Sequence, residues 1–132
     1  MRWKELTPNL MVEDVAASAA WFVEVLGFTL DGEVPGEDGV LNFAMLHRDE
    51  VPLMLQRRGS LEADVPALAG LPIGASQTFF VDVDDVTALY EPIRERVETV
   101  VPLHDTWYGQ REVYIRDLNG YIFCFAQTIS QE

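Results

Sequence analysis

Two short stretches of the chain, 71 residues apart, follow the same pattern of residue types. The stretches 10–17 and 81–88 each contain an apolar run, then valine, an acidic residue, aspartate and valine, and then residues that favour a helix start. The aspartates Asp14 and Asp85 define the offset, which is slightly more than half of the 132-residue chain. A repeat of that size indicates duplication of a half-domain, because solenoid repeats have periods of roughly 20–50 residues.

Each copy of the pattern predicts a strand followed by a capped helix. Asp14 and Asp85 suit the N-cap position, where a carboxylate accepts hydrogen bonds from the free N–H groups of the first helical turn. Gly27 then favours the end of the first helix. The second helical pattern contains Pro92, and we therefore expect this helix to kink or restart there. The apolar face of the first helix comprises Val15, Ala19, Phe22, Val25 and Leu26.

Three further strands are predicted in each half of the chain. Turn signals separate the apolar runs, most clearly at 35–39 and at 119–120. The predicted strands lie near 27–32, 39–48 and 51–56 in the first half, and near 99–105, 110–117 and 120–128 in the second.

The length of the chain fits one domain. We expect an α+β fold of two tandem β-α-β-β-β modules, at about 1–57 and 76–132. The intervening segment, about 58–75, is rich in glycine, proline and alanine. It predicts a linker with a single helical turn near 62–68.

The charge balance is strongly acidic. Nine basic residues stand against 22 acidic ones, which gives a formal net charge of −13 at pH 7. Such a charge repels nucleic-acid phosphates and anionic lipids, so we expect neither a nucleic-acid nor a membrane partner. It favours a cationic or neutral ligand; the alternative is that the acidic surface only maintains solubility. Arg111 and Arg116 are local exceptions, expected to pair with Glu112 or Asp117.

Cys124 is the only cysteine of the chain. A single cysteine excludes an intrachain disulfide and a cysteine-based metal cluster within one chain. A reducing cytoplasm is its natural setting. The apolar runs are shorter than the ~18 residues that a membrane span needs, and the first six residues lack the apolar region of a signal peptide. The expected location is therefore the cytoplasm.

A family resemblance is carried by three segments: Asn9–Phe22 running into Val25–Phe28, Phe79–Tyr90, and Trp107–Glu112 followed by Arg116–Tyr121. In this order and spacing they resemble the vicinal oxygen chelate superfamily, which includes glyoxalase I, extradiol dioxygenases, fosfomycin-resistance enzymes and bleomycin-resistance proteins. The resemblance covers nearly the whole chain. It implies paired modules whose strands form a curved mixed sheet of about eight strands around a cavity, commonly in a homodimer.

The resemblance also implies where a metal would be bound. Metal-dependent members hold a divalent ion through histidine, glutamine or glutamate side chains, and such an ion needs several N or O ligands at one point. The matching positions are Thr7, Thr78, Cys124 and, by the 71-residue offset, Leu53. None of these is a usual ligand for such a site. Gln77 lies next to Thr78, but neighbouring strand residues face opposite ways.

The two histidines are the remaining metal candidates. His104, with Asp105 and a distant carboxylate, forms a weak candidate site, and His47 is weaker because it lies beside a turn. No spacing reinforces either residue, so we expect both to be hydrogen-bonded or at the surface. Cys124 as a nucleophile needs a base and an electropositive setting. Neither is evident, and a buried inert thiol is favoured.

Several aromatic residues are candidates for lining a pocket. Trp107 and Tyr108 fall in a predicted loop, where stacking on flat heterocycles and cation–π attraction would use them. The alternative for Trp107 is that it caps the core. Phe43, Phe80 and Tyr114 lie in the middle of predicted strands, where each either lines the cavity or packs in the core.

The leading hypothesis is metal-independent binding of a small cationic or aromatic molecule, as in the bleomycin-resistance branch that the sequence resembles. No catalytic residue, metal or cofactor is expected. Two alternatives stay open: a metal-dependent lyase, isomerase or dioxygenase of the same superfamily with displaced ligands, and a binding module for an ordinary metabolite. The candidate ligand-binding residues are Thr7, Asn9, Phe43, Thr78, Phe80, Trp107, Tyr108, Tyr114 and Cys124.

Overall fold

Each half of the chain forms a four-stranded mixed sheet. The computed structural model describes residues 1–129 and divides into two units, Met1–Pro72 and a second unit that begins at Ile73. The first unit contains β1 (Asn9–Val12), α1 (Val15–Glu24), β2 (Thr29–Pro35), β3 (Leu41–Arg48), β4 (Val51–Arg57) and α2 (Arg58–Asp64). The second contains β5 (Thr78–Asp82), α3 (Val86–Tyr90), β6 (Glu98–Asp105), β7 (Gln110–Arg116) and β8 (Ile122–Thr128).

The two sheets have the same topology. The strand order is β1-β4-β3-β2 in the first sheet and β5-β8-β7-β6 in the second. In each sheet the first strand runs parallel to the last, and the remaining pairs are antiparallel. The expected α+β fold of two tandem β-α-β-β-β modules is confirmed, and neither sheet closes into a barrel.

The first helix begins and ends where its sequence predicts. Asp14 Oδ1 accepts a hydrogen bond from a backbone N–H of the first turn at 3.0 Å, which satisfies one of the free donors there. After the helix ends at Glu24, Gly27 has φ +71°, a left-handed conformation that glycine adopts without steric cost. Phe22 is fully buried, and its ring meets that of Phe28 edge-to-face with centroids 5.4 Å apart.

The second helix is short because its sequence limits it at both ends. Asp85 caps the start by accepting a hydrogen bond from the N–H of Ala88 at 3.1 Å. The helix ends at Tyr90 after only five residues, two residues before Pro92. The expected interruption at this proline therefore takes the form of a helix end. No helix in the described part of the chain is long and apolar enough to cross a membrane.

The segment expected to be a linker contains more helix than its composition suggests. Helix α2 begins at Arg58, directly after β4, and a 3-10 turn follows at Pro66–Leu68. Arg58 Nε donates to a carboxylate oxygen of Glu13 at 2.9 Å, and Leu61 is buried. These contacts hold the segment on the first sheet, and the residues up to Pro72 belong to the first unit.

Both arginines of β7 pair with acidic residues of the neighbouring strand β6. Arg111 Nε donates to Asp105 Oδ1 at 2.7 Å, and this bond lowers the pKa of the Asp105 carboxyl. The expectation that Arg111 pairs with Glu112, the next residue in the sequence, is wrong. Successive residues of a strand point to opposite faces, so they cannot meet.

Arg116 donates from Nε to Glu98 on β6 at 2.9 Å, so its expected pairing with Asp117 is also wrong.

Asp117 stabilises the turn between β7 and β8. Asp117 is buried, and its Oδ1 accepts hydrogen bonds from the N–H groups of Asn119 at 2.9 Å and Tyr121 at 2.8 Å. Burial raises the pKa of this carboxyl, against the opposing effect of the N–H donors.

Replacing Asp14 by alanine should lower the free energy of unfolding by about 1 kcal/mol, because the substitution removes the capping oxygen of α1. Asp14→Asn retains a capping oxygen and should stay close to the unaltered protein. Urea unfolding followed by circular dichroism measures both variants. Equal losses in the two variants would contradict a capping role.

Candidate functional site

Strands β7 and β8 present two chemically different faces. The amide oxygen of Gln127 accepts a hydrogen bond from the N–H of Val86, the first residue of α3, at 2.9 Å. Gln127 and the β8 residues of the same parity, the buried Phe123 and Phe125, therefore face this helix. Residues of the opposite parity face away from α3, and we call that side of the second sheet the distal face. Its side chains include Thr78, Phe80, Asp82, Glu112, Tyr114, Cys124 and Ala126.

The strand register brings three candidate residues side by side on the distal face. Phe80 pairs with Cys124 across β5 and β8, and Cys124 pairs with Tyr114 across β8 and β7. Phe80 is 61% exposed, so this ring is not part of the core. Thr78 lies two residues before Phe80 on the same strand and therefore on the same face. Four of the candidate residues thus share one sheet surface.

Cys124 and Tyr114 are neutral neighbours in register across β8 and β7. Cys124 is 1% exposed, and burial raises the pKa of its thiol, against a smaller opposing effect of the neighbouring Tyr114 hydroxyl. The proximity of the thiol, together with burial, raises the pKa of Tyr114 to about 12. Both groups are therefore protonated near neutral pH. They can exchange hydrogen bonds with a ligand, whereas the thiolate that a nucleophile requires is disfavoured.

Glu112, expected from the sequence only as a partner for an arginine, is a further functional candidate. It lies two residues before Tyr114 on β7 and is 2% exposed. Tyr108 Oη donates to its two carboxylate oxygens at 2.9 and 3.1 Å, and this hydrogen bond raises the pKa of Tyr108. A sequence signal was available, because Glu112 shares its strand parity with Tyr114 and not with the apolar Val113 and Ile115.

Trp107 does not pack against the hydrophobic core. It is 94% exposed, and its ring meets that of Tyr108 edge-to-face with centroids 5.2 Å apart. The interpretation that Trp107 caps the core is therefore wrong. Both aromatic residues lie in the turn between β6 and β7, where Gly109 has φ +83°. An exposed indole in a turn is available for contact with another molecule.

Asn9, the polar strand candidate of the first unit, is engaged within the fold. Asn9 Nδ2 donates to Gln56 Oε1 at 2.9 Å. The amide of Gln56 donates in turn to two side chains of α2, among them Asp64 at 2.8 Å. This network ties β1 and β4 to α2. Phe43 is half-buried and in register with Gln56, and Thr7 precedes β1.

The register corrects one expected equivalence between the two sheets. Asn9 and Phe80 are equivalent by the 71-residue offset. Asn9 pairs with Met54, and Phe80 pairs with Cys124, so Met54 is the counterpart of Cys124 in the first unit. The expected counterpart, Leu53, is buried and faces the other side of the sheet. A one-residue difference in the length of the connecting segments is enough to exchange the faces.

Four residues occupy the expected metal-ligand positions, and their chemistry does not suit a divalent ion. They are Thr7, Met54, Thr78 and Cys124. Zinc and similar ions take imidazole, thiolate or carboxylate ligands, and harder ions take carboxylate and carbonyl oxygens. Two hydroxyls, a thioether and a protonated thiol supply no negative charge. Among residues 1–129, no group of three or more histidine, cysteine, aspartate or glutamate side chains is placed to hold a metal.

Both histidines form local hydrogen bonds. His47 Nδ1 is 2.8 Å from a carboxylate oxygen of Asp31. His104 lies in β6, and its Nδ1 is 2.8 Å from the carbonyl oxygen of Pro102. Asp105, which the weak candidate site would combine with His104, is paired with an arginine of β7. The two side chains of that candidate site therefore do not converge.

The first unit has a groove between α1 and β2. Its polar lining is limited to Glu24, Thr29 and Glu33. A ligand site usually combines apolar walls with a few convergent polar groups, but none of the ligand-binding candidates predicted from the sequence lines this groove. The apolar lining of the groove comprises Ala16, Ala19, Ala20, Val23, Phe28, Leu30 and Leu41.

This arrangement of two like modules agrees with the result of family comparison. The chain belongs to the Glyoxalase/Bleomycin resistance protein/Dioxygenase superfamily, whose family model matches residues 6–125. The match includes both units of the fold.

Curated relatives span most of the chain. An uncharacterised protein of Mycobacterium tuberculosis is 28% identical over 135 residues, which cover 96% of this chain and 75% of that protein. A bleomycin resistance protein of Geobacillus stearothermophilus is 28% identical over 131 residues, which cover 92% of this chain and 95% of that protein.

Solved structures share the fold. A glyoxalase/bleomycin resistance protein/dioxygenase from Nocardioides superposes with a TM-score of 0.80 at 24% identity, over 100% of this chain and 87% of that chain. The bleomycin-binding protein of Streptomyces verticillus, complexed with copper(II)-bleomycin, gives a TM-score of 0.62 at 24% identity over 99% of both chains. At this level of identity the likeness shows the fold alone.

Cys124 should react slowly with thiol reagents while the protein is folded. Burial shields the sulfur and raises the pKa of the thiol, so reaction with an aromatic disulfide reagent at pH 8 should be at least about tenfold slower than in urea-unfolded protein. Raising the pH should accelerate the folded-state reaction. A folded-state rate equal to that of the unfolded chain would contradict an inert thiol.

Proposed function

We propose that this protein binds a small cationic or aromatic molecule without a metal, as a sequestering protein of the bleomycin-resistance type. One observation carries the proposal. The distal face presents the exposed ring of Phe80 beside the neutral groups of Tyr114 and Cys124, and Cys124 stands at a position where the family resemblance implies a metal ligand in metal-dependent members. The relative from Geobacillus that is named a bleomycin resistance protein supports the same type of function.

The candidate residues have separate roles in this proposal. Phe80 on the distal face, and Trp107 and Tyr108 in the turn before β7, offer ring surfaces for stacking on a flat heterocycle and for cation–π attraction. Thr78 and Tyr114 offer hydroxyl groups that fix the orientation of a ligand. The net charge of −13 raises the local concentration of cations around the protein. Sequestration makes or breaks no covalent bond, so no catalytic residue is assigned.

Titration with metal-free bleomycin should quench tryptophan fluorescence. Trp107→Phe should remove most of the signal, whereas Trp21→Phe, on α1 of the first unit, is the matched control and should preserve it. Phe80→Ala should weaken binding about tenfold, because a stacked aromatic pair contributes roughly 1 kcal/mol beyond the area it buries. A panel of cationic glycopeptides that gives no saturable change would contradict the ligand assignment. If an ordinary metabolite binds with the same dependence on Phe80, the binding role is supported and the metabolite takes the place of bleomycin as the assigned ligand.

Metal analysis of purified, tag-free protein separates this proposal from the metal-dependent lyase, isomerase or dioxygenase alternative. We expect substoichiometric zinc, iron, manganese and nickel, because the donor set at the expected ligand positions is uncharged. Stoichiometric metal that is lost in His104→Ala would contradict metal-independent binding.

We also propose that the protein is a cytoplasmic homodimer. The family resemblance implies a dimer, and the exposed side chains of Trp3 and Leu6 before β1 offer apolar surface that a second copy would cover. Analytical ultracentrifugation at micromolar concentration should give twice the 14.9 kDa mass of the chain. A species with the mass of one chain would contradict the dimer.

A further inference from the structure

Glu112 is a buried carboxylate whose hydrogen-bond partner is a single hydroxyl group. In the described part of the chain, its only hydrogen-bond donor is the hydroxyl of Tyr108, which serves both carboxylate oxygens at 2.9 and 3.1 Å. A buried carboxylate ordinarily has a cation or several N–H donors as partners, because the loss of hydration is costly. One phenolic proton is a weak substitute for either.

The basic residues of β7 are paired with other carboxylates. Arg111 donates to Asp105 on the face turned toward α3, and Arg116 donates to Glu98. Across residues 1–129, no lysine, arginine or histidine forms an ion pair with Glu112. The described residues therefore supply no countercharge to Glu112.

A second carboxylate lies on the same row of the distal face. Glu112 pairs with Ala126, and Ala126 pairs with Asp82, so the two acidic residues are two strand spacings apart, about 10 Å between their Cα atoms. Asp82 is exposed and forms no ion pair within residues 1–129 either. Two carboxylates on one row favour a cationic group over an anionic one.

Tyr108 is placed to cover Glu112 reversibly. It is half-exposed and lies in a turn, with the ring of Trp107 against its own ring. The hydrogen bond to Glu112 raises the pKa of Tyr108, so its hydroxyl is neutral near pH 7. The bond from this neutral hydroxyl lacks the charge–charge attraction that an amidinium, guanidinium or ammonium group would add at the carboxylate. A cationic ligand can therefore displace it.

We infer that Glu112 anchors a cationic nitrogen group of the ligand and that the Tyr108 hydroxyl occupies the carboxylate in the free protein. This inference rests on the proposed function and narrows its ligand to molecules with a flat aromatic body and a cationic head. Binding exchanges one hydrogen-bond donor for another, with no covalent step. Removal of the carboxylate and removal of the covering hydroxyl should therefore change cation affinity in opposite directions.

The test compares naphthamidine, a flat aromatic cation, with naphthamide, its neutral counterpart of the same shape, by calorimetric titration of the full chain. Naphthamidine should bind the unaltered protein at least about tenfold more tightly than naphthamide. Glu112→Gln should reduce this preference to about twofold or less. Tyr108→Phe should strengthen naphthamidine binding about two- to fivefold, because the hydroxyl no longer competes for the carboxylate.

The control variant is Glu91→Gln, which removes the same charge from an exposed residue paired with Arg94 and should leave the preference unchanged. Thermal unfolding reports whether each variant retains the fold. If Glu112→Gln does not fold, the probe preference of the unaltered protein and the sign of the Tyr108→Phe effect decide the question.

Three results would overturn the inference while leaving the binding role intact: equal affinity of the unaltered protein for the two probes, a preference that persists in Glu112→Gln, or weaker naphthamidine binding in Tyr108→Phe. If neither probe binds the unaltered protein, the proposed binding surface fails together with the inference.

Discussion

The alternation of side chains along β7 and β8 is the constraint on which the second unit depends. The hydrogen bond between the Gln127 side chain and the first residue of α3 shows which parity faces the helix. That parity packs against α3, and the other parity supplies the distal face with its aromatic, hydroxyl, thiol and carboxylate groups. Because the side-chain period of a strand is two, assigning the core also assigns the candidate site. The core residues concerned are Val113, Ile115, Phe123 and Phe125.

Features that depend on local chemistry could be predicted from the sequence. The caps Asp14 and Asp85 act within their own helical turns, and Pro92 limits α3 through its missing N–H. The 71-residue offset between the two caps predicts the duplicated topology. Partners across a sheet are different, because they depend on register. Arg111 meets Asp105 rather than Glu112. Alternation along β7 excludes the adjacent Glu112, but only the register of β6 against β7 identifies Asp105 as the partner.

The candidate site could be predicted from the sequence only in part. Alternation predicts that Phe80, Tyr114 and Cys124 share a face once their strands are known. The exposure of Trp107 and the hydrogen bond from Tyr108 to Glu112 depend on the geometry of the turn between β6 and β7, which residue types alone do not determine. The site therefore consists of a rigid surface, predictable by parity, and a turn whose contacts had to be observed. Strand residues offer a fixed surface for recognition, and the turn offers the groups that can exchange partners.

We propose that the distal face binds a ligand and needs no metal to do so. The most direct measurement is an amide NMR titration of isotopically labelled, chelator-treated protein with metal-free bleomycin. Binding at the distal face should give saturable chemical-shift changes that are concentrated in β5, β7, β8 and the turn at 106–109. Changes concentrated along the groove between α1 and β2, or changes that appear only after a divalent ion is added, would contradict it.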